Sequence, residues 1–349
     1  NQSEITMIAV NFLFFACLVQ FLSAEFTWQD ISNGKDSSWS KLATDRSGKI
    51  IAAITTTATS AFYISRNQGS TWSSVEPAGH YDNGVPWGAI AMDKTGTHIY
   101  AAASGYDTTT YQKSAATGIY VSSNGGKEWT KTFDLAVDNC PSCVSTLYQM
   151  STSYDGRIVA LASTNMQLTI SEDYGKTWRY VASLDTVATT SGAAMDSTGQ
   201  YIVSNFHNAI QRSTDYGHTW TTVTTLYNGG LGKMGSSADG KYLSFPGSTG
   251  PVVSNDYGKT WAVAKSDWGV QVGVTTTMDE TGQYMVAENS RIYESTDYGQ
   301  SFQYIGSAST WWRDLVNVVN TQTGDRFVYG AAAAWPGYNV TGIYLGKNN

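Results

Sequence analysis

Five carboxylates could do chemistry together: Asp82, Asp107, Asp267, Glu288 and Asp314. Glycoside cleavage needs two carboxyls roughly 5–9.5 Å apart, one of them kept protonated by its surroundings. Asp82, Asp267, Glu288 and Asp314 are the candidates for such a pair, although spacing along the chain brings no two of them together. Aromatic residues accompany them: Trp39, Trp87, Tyr106, Tyr111, Trp268, Trp311, Trp312 and Trp335. These support a second chemistry, in which sugar rings stack on aromatic faces while neighbouring Asp and Asn hold hydroxyls. For Trp39, Trp87, Trp268, Trp311 and Trp312 a plainer reading stands beside it, as wedges in a core. Elimination on a uronic-acid polymer would need a base and cationic neutralisation. Arg313, Lys113, His80 and Tyr81 carry those groups, with nothing in the sequence to unite them. No nucleophile elbow, phosphate loop or metal-ligand cluster appears, so neither a cofactor nor a metal is expected.

The elements that must position these residues are repeated. SEDYGKTW (171–178), STDYGHTW (213–220), SNDYGKTW (254–261) and STDYGQSF (295–302) are copies of one octapeptide, and SRNQGSTW (65–72) and SSNGGKEW (122–129) are looser ones. The closing aromatic falls at 72, 129, 178, 220, 261 and 302, in steps of 57, 49, 42, 41 and 41. A repeat of that length marks an array or a propeller. The third residue (Asn67, Asn124, Asp173, Asp215, Asp256 or Asp297) is expected to accept backbone N–H bonds and fold a tight turn. The fifth-position glycine supplies a left-handed angle, and Thr-Trp is expected to begin a strand and bury the indole. These residues read as structural.

A second motif, a polar turn closed by glycine and followed by an apolar strand, recurs at Gly48, Gly96, Gly156, Gly199, Gly240, Gly282 and Gly324. Seven such turns against six octapeptides give six complete four-stranded units and a seventh that lacks its last strand. The N-terminal segment Phe26 to Ile31 is an orphan strand, with Trp28 where an octapeptide Trp would stand. The chain is therefore expected to be all-β, a seven-bladed β-propeller of four-stranded antiparallel blades, with the ring closed by the N-terminal strand. Blades are expected near 38–76, 87–134, 144–183, 191–226, 231–266, 272–306 and 312–345, the last completed by 26–31. Closure also removes an open sheet edge. In such a ring both turn motifs lie on one face. The blade-joining loops and the loops between second and third strands lie on the other, where binding groups gather.

Ile8 to Leu22 is almost wholly apolar and is followed by Ser23-Ala24. Residues 1–24 read as a secretory signal peptide, with Met7 as a candidate start and 1–6 as an upstream extension. An uncleaved anchor is the alternative. Residues 25–349 form the propeller domain. Export makes Cys140 and Cys143, in Cys-Pro-Ser-Cys, a local structural disulfide rather than a redox pair. Asn339 heads a glycosylation sequon, usable in a eukaryotic host. The net charge of −7, without a basic run, argues against nucleic acid as a partner.

The octapeptides resemble the Asp-box, or bacterial neuraminidase repeat, of the sialidase-like propeller superfamily, over essentially the whole chain after residue 24. The superfamily holds sialidases, xyloglucan-cleaving endoglucanases, sortilin-type receptors, photosystem II assembly factors and lectin-like proteins. A sialidase would need an arginine triad. This chain has eight arginines and no Phe/Tyr-Arg-Ile-Pro-like start, so the non-sialidase branch is the nearer resemblance. Xyloglucan hydrolases pair two propellers, and one is present here. The assembly factors agree in blade number and box style, but a thylakoid address calls for a transit segment that the N-terminus does not show. The expected function is a secreted, monomeric, non-catalytic propeller. It would bind an extracellular glycan or glycoprotein through aromatic loops opposite the boxes, with no membrane attachment after signal cleavage. A polysaccharide-cleaving hydrolase or lyase is the alternative, and an extracellular scaffold the second alternative.

Overall fold

The computed structural model describes residues 26–34, 38–55, 61–77, 86–105, 114, 116–135, 146–164, 168–181, 190–206, 209–225, 232–269, 273–306, 311–319, 324–333 and 341–348. Seven antiparallel sheets form the blades of a propeller. Six are built from consecutive strands, as in blade 1: Trp39–Thr44, Ile51–Thr55, Phe62–Ser65 and Ser73–Val75. Blade 7 combines Trp311–Val319, Arg326–Ala333 and Gly342–Asn348 with the N-terminal strand Phe26–Asp30. The N-terminal strand pairs antiparallel with Gly342–Asn348, Trp28 opposite Gly346. The ring is thus closed as the repeat count requires. One departure lies between blades 5 and 6. Lys265–Ser266, expected at the end of blade 5, pairs in parallel with Ser301 and Phe302 as a fifth strand of blade 6.

The core is a set of slabs between neighbouring blades. Second strands are sandwiched on both sides and read as largely apolar runs, as buried strands do. Ile99–Ala103 (IYAAA) and Arg326–Ala333 (RFVYGAAA) are buried at every position. In the slab between blades 1 and 2, Ile54, Phe62 and Ile64 meet Trp87, Ile90 and Ile99. The glycine turns admit the neighbouring blade. A Cβ on Gly48, whose φ is 69°, would stand 2.7 Å from the Tyr329 hydroxyl, which donates to the Gly48 carbonyl. Substitution there would be both strained and obstructed.

The octapeptide turns follow the expected chemistry. Oδ1 of Asp173, Asp215, Asp256 and Asp297 accepts the amide four residues on, and Asn67 and Asn124 do the same. The first-position serine contributes equally: Ser213 Oγ accepts the Gly217 amide and donates to Asp215 Oδ1. Two details differ from expectation. The fourth residue is also left-handed, with φ of 64° at Tyr174, 59° at Tyr216, 64° at Tyr257 and 61° at Tyr298. The closing Trp stands before the last strand rather than in it, half-buried; at Trp129, Trp178, Trp220 and Trp261 its Nε1 donates to the fifth-position glycine carbonyl.

Each octapeptide also bonds the glycine turn of its own blade, as in Tyr216 N to Gln200 O and Tyr257 N to Lys241 O, which fixes both motifs to one face. Successive glycine turns join around the axis. Arg46 N donates to Lys94 O, Lys94 N to Tyr154 O, Tyr154 N to Ser197 O, Ser197 N to Ala238 O, and Ala238 N to Glu280 O. Arg46 Nη2 then reaches Glu280 Oε2 at 2.6 Å, linking the first of these turns to the sixth.

Candidate functional site

The innermost strands run from the opposite face toward these turns, and their first residues ring the other mouth of the central channel. In blades 1, 2, 3, 4 and 7 the strand slips register by one residue near its start, at 40, 88, 148, 191 and 313. Such irregularities bend a strand and re-aim its side chains. The residue after the slip is Lys41, Ala89, Gln149, Gly192 or Asp314. Gln149 shows what this position can reach. Its Nε2 donates to Met234 O, and its Oε1 accepts the amides of Ala193 and Met234, tying three blades together.

Lys41, Asp314 and Lys233 use the same geometry with charge. Lys233 Nζ lies 2.9 Å from Asp314 Oδ1 and donates to Leu315 O. The other oxygen, Asp314 Oδ2, accepts the Leu42 amide at 2.8 Å, and Oδ1 also accepts the Leu315 amide. Lys41 makes no ion pair among the described residues. Burial pushes its ammonium below the usual lysine range; Asp314 pulls back, while Lys233 and Arg313 push with burial. Glu288, at the end of a second strand, is 1% exposed. Burial drives its carboxyl up to about 8 against the amides of Ser290 and Val274, so it is protonated at neutral pH. Its Oε1 has no hydrogen-bond partner among the described residues.

A cavity of 420 Å³ opens at this mouth. It is lined by Lys41, Lys233, Arg313, Tyr148, Ser104 and Trp87 among others, and by no carboxylate among the described residues. A larger hollow, 720 Å³, lies beside Asp93, His98 and Tyr174 in the seam of blades 2 and 3. Its histidine is already paired, with His98 Nδ1 2.8 Å from Asp93 Oδ2. Its ring contact, His98 on Tyr174, recurs as Tyr201 on Tyr257 and Tyr242 on Tyr298. That hollow is a repeat of blade packing, whereas the cavity at the channel mouth is lined by Lys41, Lys233 and Arg313 from three different blades.

The structure corrects the stacking role expected of four tryptophans. Trp39, Trp87, Trp268 and Trp312 are 0%, 1%, 3% and 1% exposed. Trp39 packs on Tyr63 and Trp72, Trp87 on Phe62 and Tyr120, Trp268 on Tyr293, and Trp312 on Trp28 and Tyr344. They are wedges: at these four blade entrances a large ring fills the slab that the flaring blades leave open. Of the acids, Asp314 and Glu288 come together at the channel mouth, while Asp267 is exposed and does not line the cavity. Trp311 opens the innermost strand of blade 7. Asp82, Asp107, Tyr106, Tyr111, Trp335, Cys140, Cys143, Asn339 and segment 1–24 lie outside the described residues. Lys41 and Lys233 were not foreseen. The signal that could have found them is a lysine where other blades carry Ala89, Gln149 or Gly192.

No protein-family model matches the sequence, and no curated protein matches it. Solved structures do. YCF48 from Cyanidioschyzon merolae is similar with a TM-score of 0.62 at 10% identity, over 92% of this chain and 98% of that one. A structure of YCF48 bound to D1 peptide gives 0.61 at 11% identity, over 92% and 97%. The GH74 enzyme of Niastella koreensis gives 0.59 at 14% identity, over 85% of this chain and 51% of its own. At these identities the likeness is one of fold: the chain is a seven-bladed β-propeller, built on the same ring as these neighbours.

Proposed function

We propose that this chain is a secreted, non-catalytic propeller of the Asp-box kind that binds an extracellular glycan or glycoprotein at the channel mouth opposite the octapeptide turns. The observation that carries the non-catalytic reading is the withdrawal of both axial acids from the cavity. Asp314 is occupied by Lys233 and two backbone amides, and Glu288 is buried beneath the surface. A general acid must reach the leaving oxygen and a nucleophile the reacting carbon; neither carboxyl lines the cavity. The neighbours of this fold include a peptide-bound protein and a glycoside hydrolase family enzyme. They share the ring and do not choose between binding and catalysis, so the choice rests on this chain's own side chains.

The test is incubation of the purified protein with a panel of polysaccharides and glycoproteins, recording retention on the immobilised ligand and the masses of any products. Retention without new products is expected. New oligosaccharides would replace this reading with the polysaccharide-cleaving one, and their end groups would separate hydrolysis from elimination. No retention on any glycan or glycoprotein would leave the scaffold reading.

A further inference from the structure

We propose that the channel mouth selects an acidic glycan, taking the carboxylate or sulfate of one sugar residue between Lys41, Lys233 and Arg313. The inference rests on the glycan-binding reading and supplies the chemical class that the reading leaves open.

Three observations on different blades converge on it. Lys41 of blade 1, Lys233 of blade 5 and Arg313 of blade 7 line one cavity. Like charges gathered in a partly enclosed space repel one another, and burial raises the cost of each. Among the described residues the one charged acid at the mouth, Asp314, is fixed to Lys233 and to two amides, and Lys41 has no ion pair. Glu288, the other acid within electrostatic reach of Lys41, is held neutral by its burial. Among the described residues the cavity wall presents three cationic side chains and no carboxylate, so an entering anion meets opposite charge on three sides. Tyr148 and Ser104 on the same wall offer hydroxyls for a sugar ring. A volume of 420 Å³ falls within the range of small-ligand pockets and has room for a terminal monosaccharide.

Lys233 is pre-oriented by Asp314 and Leu315 O, which leaves its third N–H for the ligand. Lys41 behaves differently. Burial disfavours its ammonium, and an anion at contact distance favours it. Asp314 and Glu288 on the acid side, and Lys233 and Arg313 on the basic side, are the described charged groups facing Lys41.

The experiment compares retention of polygalacturonate, its carboxyl-reduced neutral counterpart and chondroitin sulfate. The wild type is set beside Lys41→Met. Binding of an acidic polymer and loss of about tenfold or more in affinity in Lys41→Met are expected. The two acidic polymers separate carboxylate from sulfate recognition. Equal binding of the neutral polymer, or unchanged affinity in a folded Lys41→Met, would overturn the acidic-ligand inference and leave glycan binding standing. If no polymer is retained, free galacturonate and free sulfate provide a second measurement. Thermal stabilisation by either, lost in Lys41→Met, keeps the anion site while glycan binding fails; no stabilisation by either ends both.

Discussion

Lys233 Nζ lies 2.9 Å from Asp314 Oδ1, joining blades 5 and 7 near the axis between residues 81 positions apart in sequence. Asp314 is 2% and Lys233 17% exposed at the side chain. A buried pair is costly to break because the survivor is left uncompensated. Asp314→Ala is expected to destabilise the fold by about 3–5 kcal/mol, since it also strips the Leu42 amide of its acceptor. Asp314→Asn retains oxygen and shape and should cost less. The other mouth supplies a control. Arg46 and Glu280 are 54% and 21% exposed, and Arg46→Ala should cost no more than about 1 kcal/mol. Urea midpoints of the three variants check the order, and an Arg46→Ala loss as large as that of Asp314→Ala would refute it.

The octapeptide aspartates make stability acid-sensitive. Burial alone would raise the Asp215 carboxyl, but the Thr219 hydroxyl and amide, the Ser213 hydroxyl and nearby His218 outweigh it and bring it to about 2. Asp173, Asp256 and Asp297 are lowered by the same kind of bonds. A depressed folded-state value contributes stability that is complete above the unfolded value of about 3.9 and is lost as pH falls through the folded one. Melting temperature is expected to drop between about pH 4 and 2. Asp215→Asn should flatten part of that drop. It should also cost less than Asp215→Ala, whose loss is about 1 kcal/mol, because Asn67 and Asn124 already support the same turn. An acid transition that is identical in Asp215→Asn would show that this turn does not carry it.

Local signals made the ring legible. Each octapeptide contains its own turn chemistry, and each glycine turn precedes the run that becomes a doubly buried strand, so blades could be counted without any long-range contact. Closure was legible because the seventh unit lacks a last strand and the N-terminal segment Phe26 to Ile31 offers one. The site was legible only in part. Glu288 and Asp314 were visible as unusual acids, but Lys41 and Lys233 lie in different blades and share no local motif with each other. What unites them is a register slip at the strand start and the rotation of the ring. The tryptophans misled for a related reason. Recurrence at several blade entrances is the mark of a packing position, and a ligand contact has no need to recur.

Glu288 gives a dependence in the opposite direction from the aspartates. Its folded-state value is raised to about 8, from an unfolded value of about 4.3. The stability it permits is present in full below the unfolded value. It is lost as pH rises toward the folded one, at about 1.4 kcal/mol per pH unit, and is constant beyond it. Glu288→Gln keeps the shape and cannot ionise. It should therefore match the wild type near pH 4 and exceed it in melting temperature at pH 8. Parallel melting curves across that window would mean that Glu288 ionises freely in the folded protein, against the burial of its side chain.

Lys41 should respond with the reverse sign. Burial lowers its folded-state value, so the stability it permits is complete only above the unfolded value of about 10.4 and is lost as pH falls toward the folded one. Lys41→Met preserves the straight aliphatic stem and removes the charge. At pH 7 it is expected to raise the melting temperature by about 2 °C or more, with the gain shrinking toward pH 10, whereas the Glu288→Gln gain grows with pH. Two variants near one channel mouth thus drift in opposite directions, which a general effect on folding would not produce. A residue that lowers stability where Ala89 or Gly192 serves elsewhere in the ring is the kind that function retains. If Lys41→Met melts no higher than the wild type at pH 7, the amine is already compensated in the free protein.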